Sequence, residues 1–424
     1  MRNCVILLVN SYPYSGGEDF LIQELPTLSE RFEKIYIFAR DASVGDSVTR
    51  PVPQNAECYP LSGFSDKVQK KLSQACGFAL SLLPGRISAD EKHFADTAAK
   101  RAFHEYFELR AADGFRSCLS KLNMQELAAY DRVVIYSYWL FVTAKIGAML
   151  RDKLKSFGIE ATLISRAHRY DLYEEANSLG YLPERRCLLD AVDGVYVCSE
   201  NGRKYLSEKH PDFLDKIHTA VLGSADMGEC GHGRDEFHIV SCSGVTARKR
   251  VGRIASSLAL LRDSGLRLRW THMGDGDELE ALRRYASEKL DFVKTDFKGS
   301  VPNLAVYEFY KNNNINLFIN VSENEGLPVS VMEASSFGIP AVVTDVGGSA
   351  QAVCGGVSGT VIPPDFSDEQ LAFEIKRFAV MPESEYSGFC SGARRHWSEN
   401  FCAQRNYESF WDSILNAERT VSVC

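Results

Sequence analysis

Short, almost wholly apolar runs return along this chain at intervals filled by helical patterns, and that rhythm limits the fold more than any other feature. Asn3–Asn10 (NCVILLVN) and Lys34–Arg40 (KIYIFAR) read as strands, followed by Asp131–Tyr138, Ala161–His168, Gly194–Glu200 and Ile217–Gly223. Strands that are apolar almost throughout, with helices between them, specify a parallel sheet covered on both faces. Between Leu61 and Leu127 the pattern changes to a largely helical, charge-laced insertion. The Gly-rich polar stretch 226–237 reads as a linker, after which the rhythm restarts with His238–Gly244, Leu266–Met273, Phe292–Gly299 and Ile315–Val321. Asp277 and Asn303 are expected as helix caps, and Gly265 as a helix stop.

A chain of 424 residues exceeds one ordinary core. The expected fold is therefore α/β, two Rossmann-like doubly wound domains facing a central cleft: residues 1–225, then the linker, then 238–400. Residues 401–424 hold a helix with Tyr407, Phe410, Trp411 and Ile414 on one face, expected to pack back on the N-terminal domain. Open parallel sheets bind ligands beyond the carboxyl ends of their strands.

Charge narrows the partners. The net charge is −8, with 48 basic and 56 acidic residues, which argues against nucleic acid. The first 225 residues are near neutral (28 basic, 29 acidic), and the excess of acid falls in the remainder. Twelve cysteines lie scattered without ligand spacing, as expected of reduced thiols in the cytoplasm. The run Cys4–Val9 is too short for a signal peptide, and no window of about 18 apolar residues offers a membrane span. Phe64–Leu72 (FSDKVQKKL) sets Lys67, Lys70 and Lys71 beside Val68 and Leu72. It reads as a solvated helix face or as a peripheral membrane contact on the inner face of the plasma membrane.

Four stretches carry candidate chemistry. In Glu325–Pro340 (EGLPVSVMEASSFGIP) Pro328 suits the first helical position, and Gly338 with Pro340 ends the helix. Glu325 and the amides of Gly326 and Leu327 then stand at a helix N-terminus. Glu325 and Glu333 could bind sugar and ribose hydroxyls or simply complement the helix dipole. In Val240–Ile254, the loop Ser243–Arg250 gathers Arg248, Lys249 and Arg250 with Ser243 and Gly244, either a phosphate-neutralising cluster or a solvated basic turn. His168 closes the strand of Ile164–Glu175, and Gly16-Gly17 opens a helix where backbone could approach a diphosphate or an acceptor. Asp275-Gly276-Asp277 resembles a metal-holding DxD, but Asp277 is accounted for as a cap and no metal is expected.

Glu, seven residues, Glu, set in EGLPVSVMEASSFGIPAVVTDVGG, resembles the signature of the retaining GT-B glycosyltransferases of family four (glycosyl transferases group 1), most strongly from His238 to Gly348. The resemblance implies a metal-independent transferase without cofactor. It would move a sugar from a UDP- or GDP-sugar to a saccharide or lipid-linked acceptor, in bacterial surface polysaccharide synthesis. It implies that Glu325 contacts the donor sugar and Glu333 the ribose. Lys249 matches the family lysine and His168 its sugar-facing histidine. Three departures stand out: Arg169 replaces the usual glycine after His168, the family arginine falls on Gly244, with Arg250 as its substitute, and Gln351 stands where an acid is common. A sugar-nucleotide epimerase of the same architecture and a non-catalytic partner subunit are the alternatives.

Overall fold

The computed structural model describes residues 1–15, 17–62, 79 and 87–417. Gly16 and the basic stretch Phe64–Leu72 lie outside the described residues. The chain divides into two compact units, Met1–Ala220 with the chain from Trp411 onward, and Val221–Phe410. The division falls at Ala220 rather than at residue 225, and again inside the helix Ala403–Ala417.

In the first unit the strands are β1 (Asn3–Val9), β2 (Lys34–Ser43), β3 (Ala56–Ser62), β4 (Arg132–Ser137), β5 (Ala161–Ala167), β6 (Gly194–Val197) and β7 (Ile217–Thr219). They pair in the order β3-β2-β1-β4-β5-β6-β7, every pair parallel. The runs predicted from the sequence are all strands. β3 was not anticipated, and it corrects the start of the helical insertion: Leu61 and Ser62 are strand, with helices at Ala89–Phe94, Ala98–Lys121 and Met124–Leu127. β3 escapes a pattern search because it is an edge strand that carries Glu57 and Pro60, both tolerated where one side lacks a partner.

The second unit repeats the arrangement with β8 (Phe237–Cys242), β9 (Leu268–Met273), β10 (Val293–Phe297), β11 (Leu317–Asn320), β12 (Ala341–Thr344) and β13 (Gly359–Ile362). Their order is β10-β9-β8-β11-β12-β13, again all parallel. Each unit is thus a Rossmann-like doubly wound α/β layer with its own core.

Three local expectations are corrected. The stretch 226–237 is not a free connector. Cys230 N donates to Phe337 O (3.2 Å), Ile315 N to Gly231 O (3.0 Å), and Arg234 reaches three carbonyls at the end of the helix Asp368–Val380. Hydrogen bonds fasten it, so no apolar period marks it. Asp277 does not cap the helix Leu279–Lys289, which begins after Glu278 without a side-chain cap. Pro302 holds the cap position before Asn303–Lys311, and Asn303 turns its amide elsewhere, to Glu333.

In the first unit Trp411 is fully buried, edge-on to Phe32 and Tyr136 (centroids 5.2 and 5.1 Å). Its Nε1 donates to Glu24 Oε1 (3.2 Å), which also accepts from the Tyr136 hydroxyl (3.0 Å). Burial pushes the Glu24 carboxyl up, opposed by Arg166 (3.8 Å) and these donors. Trp411→Ala should therefore destabilise the first unit by about 3–5 kcal/mol, read as a shifted denaturation midpoint. A shift below about 1 kcal/mol would show that the indole is dispensable.

Candidate active site

β8 and β11 are neighbours in the second sheet (Leu317 beside Ile239, Phe318 beside Val240), and β8 is the strand from which the order runs outward both ways. Side chains just beyond the carboxyl ends of two such strands converge. Lys249 sits in the tight turn Ala247–Lys249 after β8, Glu325 in the loop after β11. Lys249 Nζ forms an ion pair with Glu325 Oε1, Arg248 Nη1 stands 3.8 Å from Oε2, and Asn320 Nδ2 lies 3.4 Å from Oε1. Glu325 is only 6% exposed. Burial alone would raise its pKa, yet Lys249, Ser322 and Arg248 outweigh burial and hold the carboxyl below the usual carboxylate range.

Backbone contacts aim this glutamate. Gly347 has φ +53°, and a Cβ there would lie 1.8 Å from the Glu325 carbonyl oxygen. Gly348 N donates to Gly326 O (2.9 Å). Gly326 and Leu327 are buried just ahead of the helix Val329–Ser336, whose first residue is Val329, with Pro328 in the cap position rather than inside. Glu333, also 6% exposed, accepts from Asn303 Nδ2 (2.7 Å). Burial and the nearby Glu333 carboxylate push the Tyr307 phenol up.

The basic loop divides its labour in an unforeseen way. Arg250, expected beside Lys249 as a phosphate ligand, donates instead to Val321 O (2.7 Å), Pro364 O (2.8 Å) and Ser322 O (3.1 Å). Its guanidinium also lies over the Phe366 ring, so it fastens the end of β11. Arg248 is the cation left beside Lys249, with Nη1 on Asn324 O (2.9 Å) and its side chain 38% exposed. Ser243 N donates to Met273 O (3.0 Å), and the Ser243 hydroxyl to Gly244 O (3.3 Å). A Cβ at Gly244 would meet nothing nearer than Asp275 O at 3.5 Å, an ordinary contact.

His168 belongs to the first unit, just past β5. It is buried among Phe20, Tyr138 and Trp139 (centroids 5.4, 5.1 and 4.6 Å). Burial, with repulsion from Arg166, pushes its pKa down to about 3. Its Nε2 donates to Tyr138 O (3.1 Å), which leaves Nδ1 as an acceptor. Asp171 takes the amides of His168 (2.9 Å) and Leu140 (2.8 Å), and burial pushes it up to about 6.

Sequence reasoning missed Glu18. Gly17 (φ +89°) and Glu18 itself (φ +62°) turn the chain back, so that the Glu18 carboxylate accepts from the successive amides of Asn10, Ser11 and Tyr12 (2.8, 2.7 and 2.8 Å) and from Trp139 Nε1. The amides after β1, where Gly16-Gly17 was expected to admit a diphosphate, thus already hold an anion of this chain. Asp275 accepts from the adjacent Gly276 amide. Among the described residues His104, Glu108 and Glu184 have a metal-like spacing, but the Lys145 ammonium pairs with both glutamates.

Lys249→Met would leave Glu325 buried with a weakened counter-charge, so its folded pKa would rise above the unfolded value. In the native protein the depressed pKa adds stability that is complete above the usual carboxylate range and is lost as pH falls through the folded pKa. The variant should therefore be less stable by about 3–5 kcal/mol at neutral pH. The gap should narrow below about pH 4. Denaturation at both pH values checks this, and a gap independent of pH would locate the effect elsewhere.

Residues 226–395 match the family model described as Glycosyl transferases group 1. Over 224 residues the chain is 27% identical to the O-antigen biosynthesis glycosyltransferase WbnH of Escherichia coli, covering 53% of this chain and 60% of that protein. The chain thus spans less than two thirds of that relative's length. It is 22% identical over 283 residues to the lipopolysaccharide core biosynthesis mannosyltransferase LpcC of Rhizobium leguminosarum bv. viciae, with 64% and 78% covered. Alr3699/HepE of Anabaena, solved in complex with UDP and glucose, superposes with TM-score 0.65 at 14% identity over 96% of this chain and 98% of that one. The fold is GT-B, and with β8–β12, the Lys249 turn and the Glu325–Glu333 segment all inside the matched region, residues 226–395 belong to the glycosyl transferases group 1 family.

Proposed function

We propose that this chain is a retaining glycosyltransferase that moves a sugar from a nucleoside diphosphate to a hydroxyl of a saccharide or lipid-linked acceptor, in the cytoplasmic stage of surface polysaccharide synthesis. The observation that carries this reading is the ion pair of Lys249 with a buried, ionised Glu325, both just past the strands where the sheet order reverses. A carboxylate held ionised accepts sugar hydroxyls through charge-assisted bonds of about 1.5–3 kcal/mol each. Glu333, held by Asn303, takes the ribose hydroxyls. HepE, with its bound UDP and glucose, favours a UDP-sugar as donor, and WbnH and LpcC favour a saccharide acceptor.

In this reading the bond from the anomeric carbon to the diphosphate oxygen breaks while the acceptor oxygen bonds to the same face of that carbon. The acceptor proton passes to the departing phosphate. Lys249 and Arg248 meet the charge that develops on the diphosphate, in place of a metal ion. Glu325 fixes the sugar. No carboxylate is assigned as nucleophile. A second reading, a non-catalytic subunit that binds a partner transferase and takes nucleotide weakly or not at all, draws on Gly244 and on the carbonyl contacts that occupy Arg250.

Thermal shift with UDP, GDP and ADP, each with and without magnesium, should single out UDP and be indifferent to the metal. Saturation at 100 times the dissociation constant adds about 2.7 kcal/mol. Glu325→Ala should lower transfer by at least about a hundredfold, roughly 2.7 kcal/mol of barrier, while the fold survives. Gly244→Arg, whose Cβ would make only ordinary contacts, should raise transfer. Consumption of donor with no acceptor present would favour the epimerase, and no transfer with any donor, together with a stable complex with another transferase, would favour the subunit.

A further inference from the structure

A cavity of about 440 Å³ lies within the first unit. Part of its wall comes from stretches a doubly wound sheet does not need, the helix Ala89–Phe94, the start of the helix Ala98–Lys121 and residues 174–182 of the connection that begins at His168; the rest comes from the helices Arg185–Ala191 and Glu200–Lys209. Two ion pairs line it, Lys100 with Asp96 (3.0 Å) and Lys209 with Glu174 (2.6 Å). Arg186 is matched by Asp212 (2.7 Å). Burial and nearby Arg185 push His210 down to about 4, so it adds no charge at neutral pH. The wall is therefore dense in donors and acceptors yet balanced in charge. Such a surface suits a ligand rich in hydroxyls and poor in charge, since a free anion would meet as much carboxylate as ammonium.

Aromatic and carboxylate groups complete the match. Phe94 is 56% exposed at the rim, an apolar ring for the C–H face of a sugar. Within, Glu91 accepts from the Tyr181 hydroxyl and from Glu184 N (2.9 Å), both on Oε1, which leaves Oε2 for a ligand hydroxyl. Arg185, a buried part of the lining, donates to Asp171 O and to Leu140 O (3.0 Å). Asp171 in turn holds the His168 amide, so the cavity and the proposed sugar-facing histidine share one hydrogen-bonded frame.

We propose that this cavity is a saccharide subsite, which seats a neutral sugar unit of the acceptor away from the hydroxyl that reacts. It rests on the transferase reading for the identity of its ligand as acceptor, whereas the binding itself does not need turnover.

The test is saturation-transfer NMR on the full chain with the methyl α- and β-glycosides of glucose, galactose, mannose and N-acetylglucosamine, and with inorganic phosphate as the anionic control. At least one glycoside should give signal. It should persist in Glu325→Ala, and weaken at least about tenfold in the double variant Phe94→Ala, Asp96→Ala, which alters only exposed groups. Silence from every glycoside, unchanged binding in the double variant, loss of signal in Glu325→Ala, or a response to phosphate alone would each overturn the proposal. Because no donor is present, failure of the transferase reading would leave the glycoside signal intact, and failure of the subsite would leave the nucleotide shift intact.

Discussion

The pairing of Lys249 with Glu325 depends on strand order. Because β8 and β11 lie side by side, the turn that follows one and the loop that follows the other end within reach, although 76 residues separate the two side chains. A carboxylate as deeply buried as Glu325 would otherwise take up a proton or pull its loop toward water. With an ammonium bonded to it and a guanidinium near, it stays both buried and charged. The neighbouring features serve that state: Arg250 ties the end of β11, and Asn320 reaches the same carboxylate oxygen.

The two units handle the carboxyl ends of their first strands differently. After β8 the cations Arg248 and Lys249 face a carboxylate, an arrangement that can exchange one anion for another. After β1 the amides of residues 10–12 already close on Glu18, and the Trp139 indole adds a further donor to the same group. A loop so satisfied is a rigid wall rather than an open anion site. The distinction follows from left-handed backbone at Gly17 and Glu18.

Much of this was legible beforehand. The central strands announced themselves because both their faces are buried, so every position is apolar and no alternation dilutes the signal. β3 and β13, both edge strands, were not: β3 carries Glu57 and Pro60, and β13 opens on Gly359 and breaks the apolar run with Thr360. Glu325, Glu333 and Lys249 could be picked out by type and spacing, and the structure brings Lys249 to Glu325. The partners could not. Asn303 looks like a cap in sequence because Asn often caps, yet its amide is drawn to a buried carboxylate that offers a stronger acceptor. Arg250 looks equivalent to its neighbours until three carbonyls surround it. Glu18 is invisible for a different reason, since nothing local says that two residues with positive φ will fold it back on amides six to eight positions earlier.

The contact of Gly347 with Glu325 has a wider consequence. It joins the loop after β12 to the loop after β11 through main-chain atoms, with no side chain between them. The orientation of the acidic group is therefore inherited from how β12 lies against its neighbours, including the short outermost strand β13. A disturbance at that rim of the sheet, away from the acidic loop itself, would reach the carboxylate as a change of aim, without a single substitution in the loop that carries Glu325.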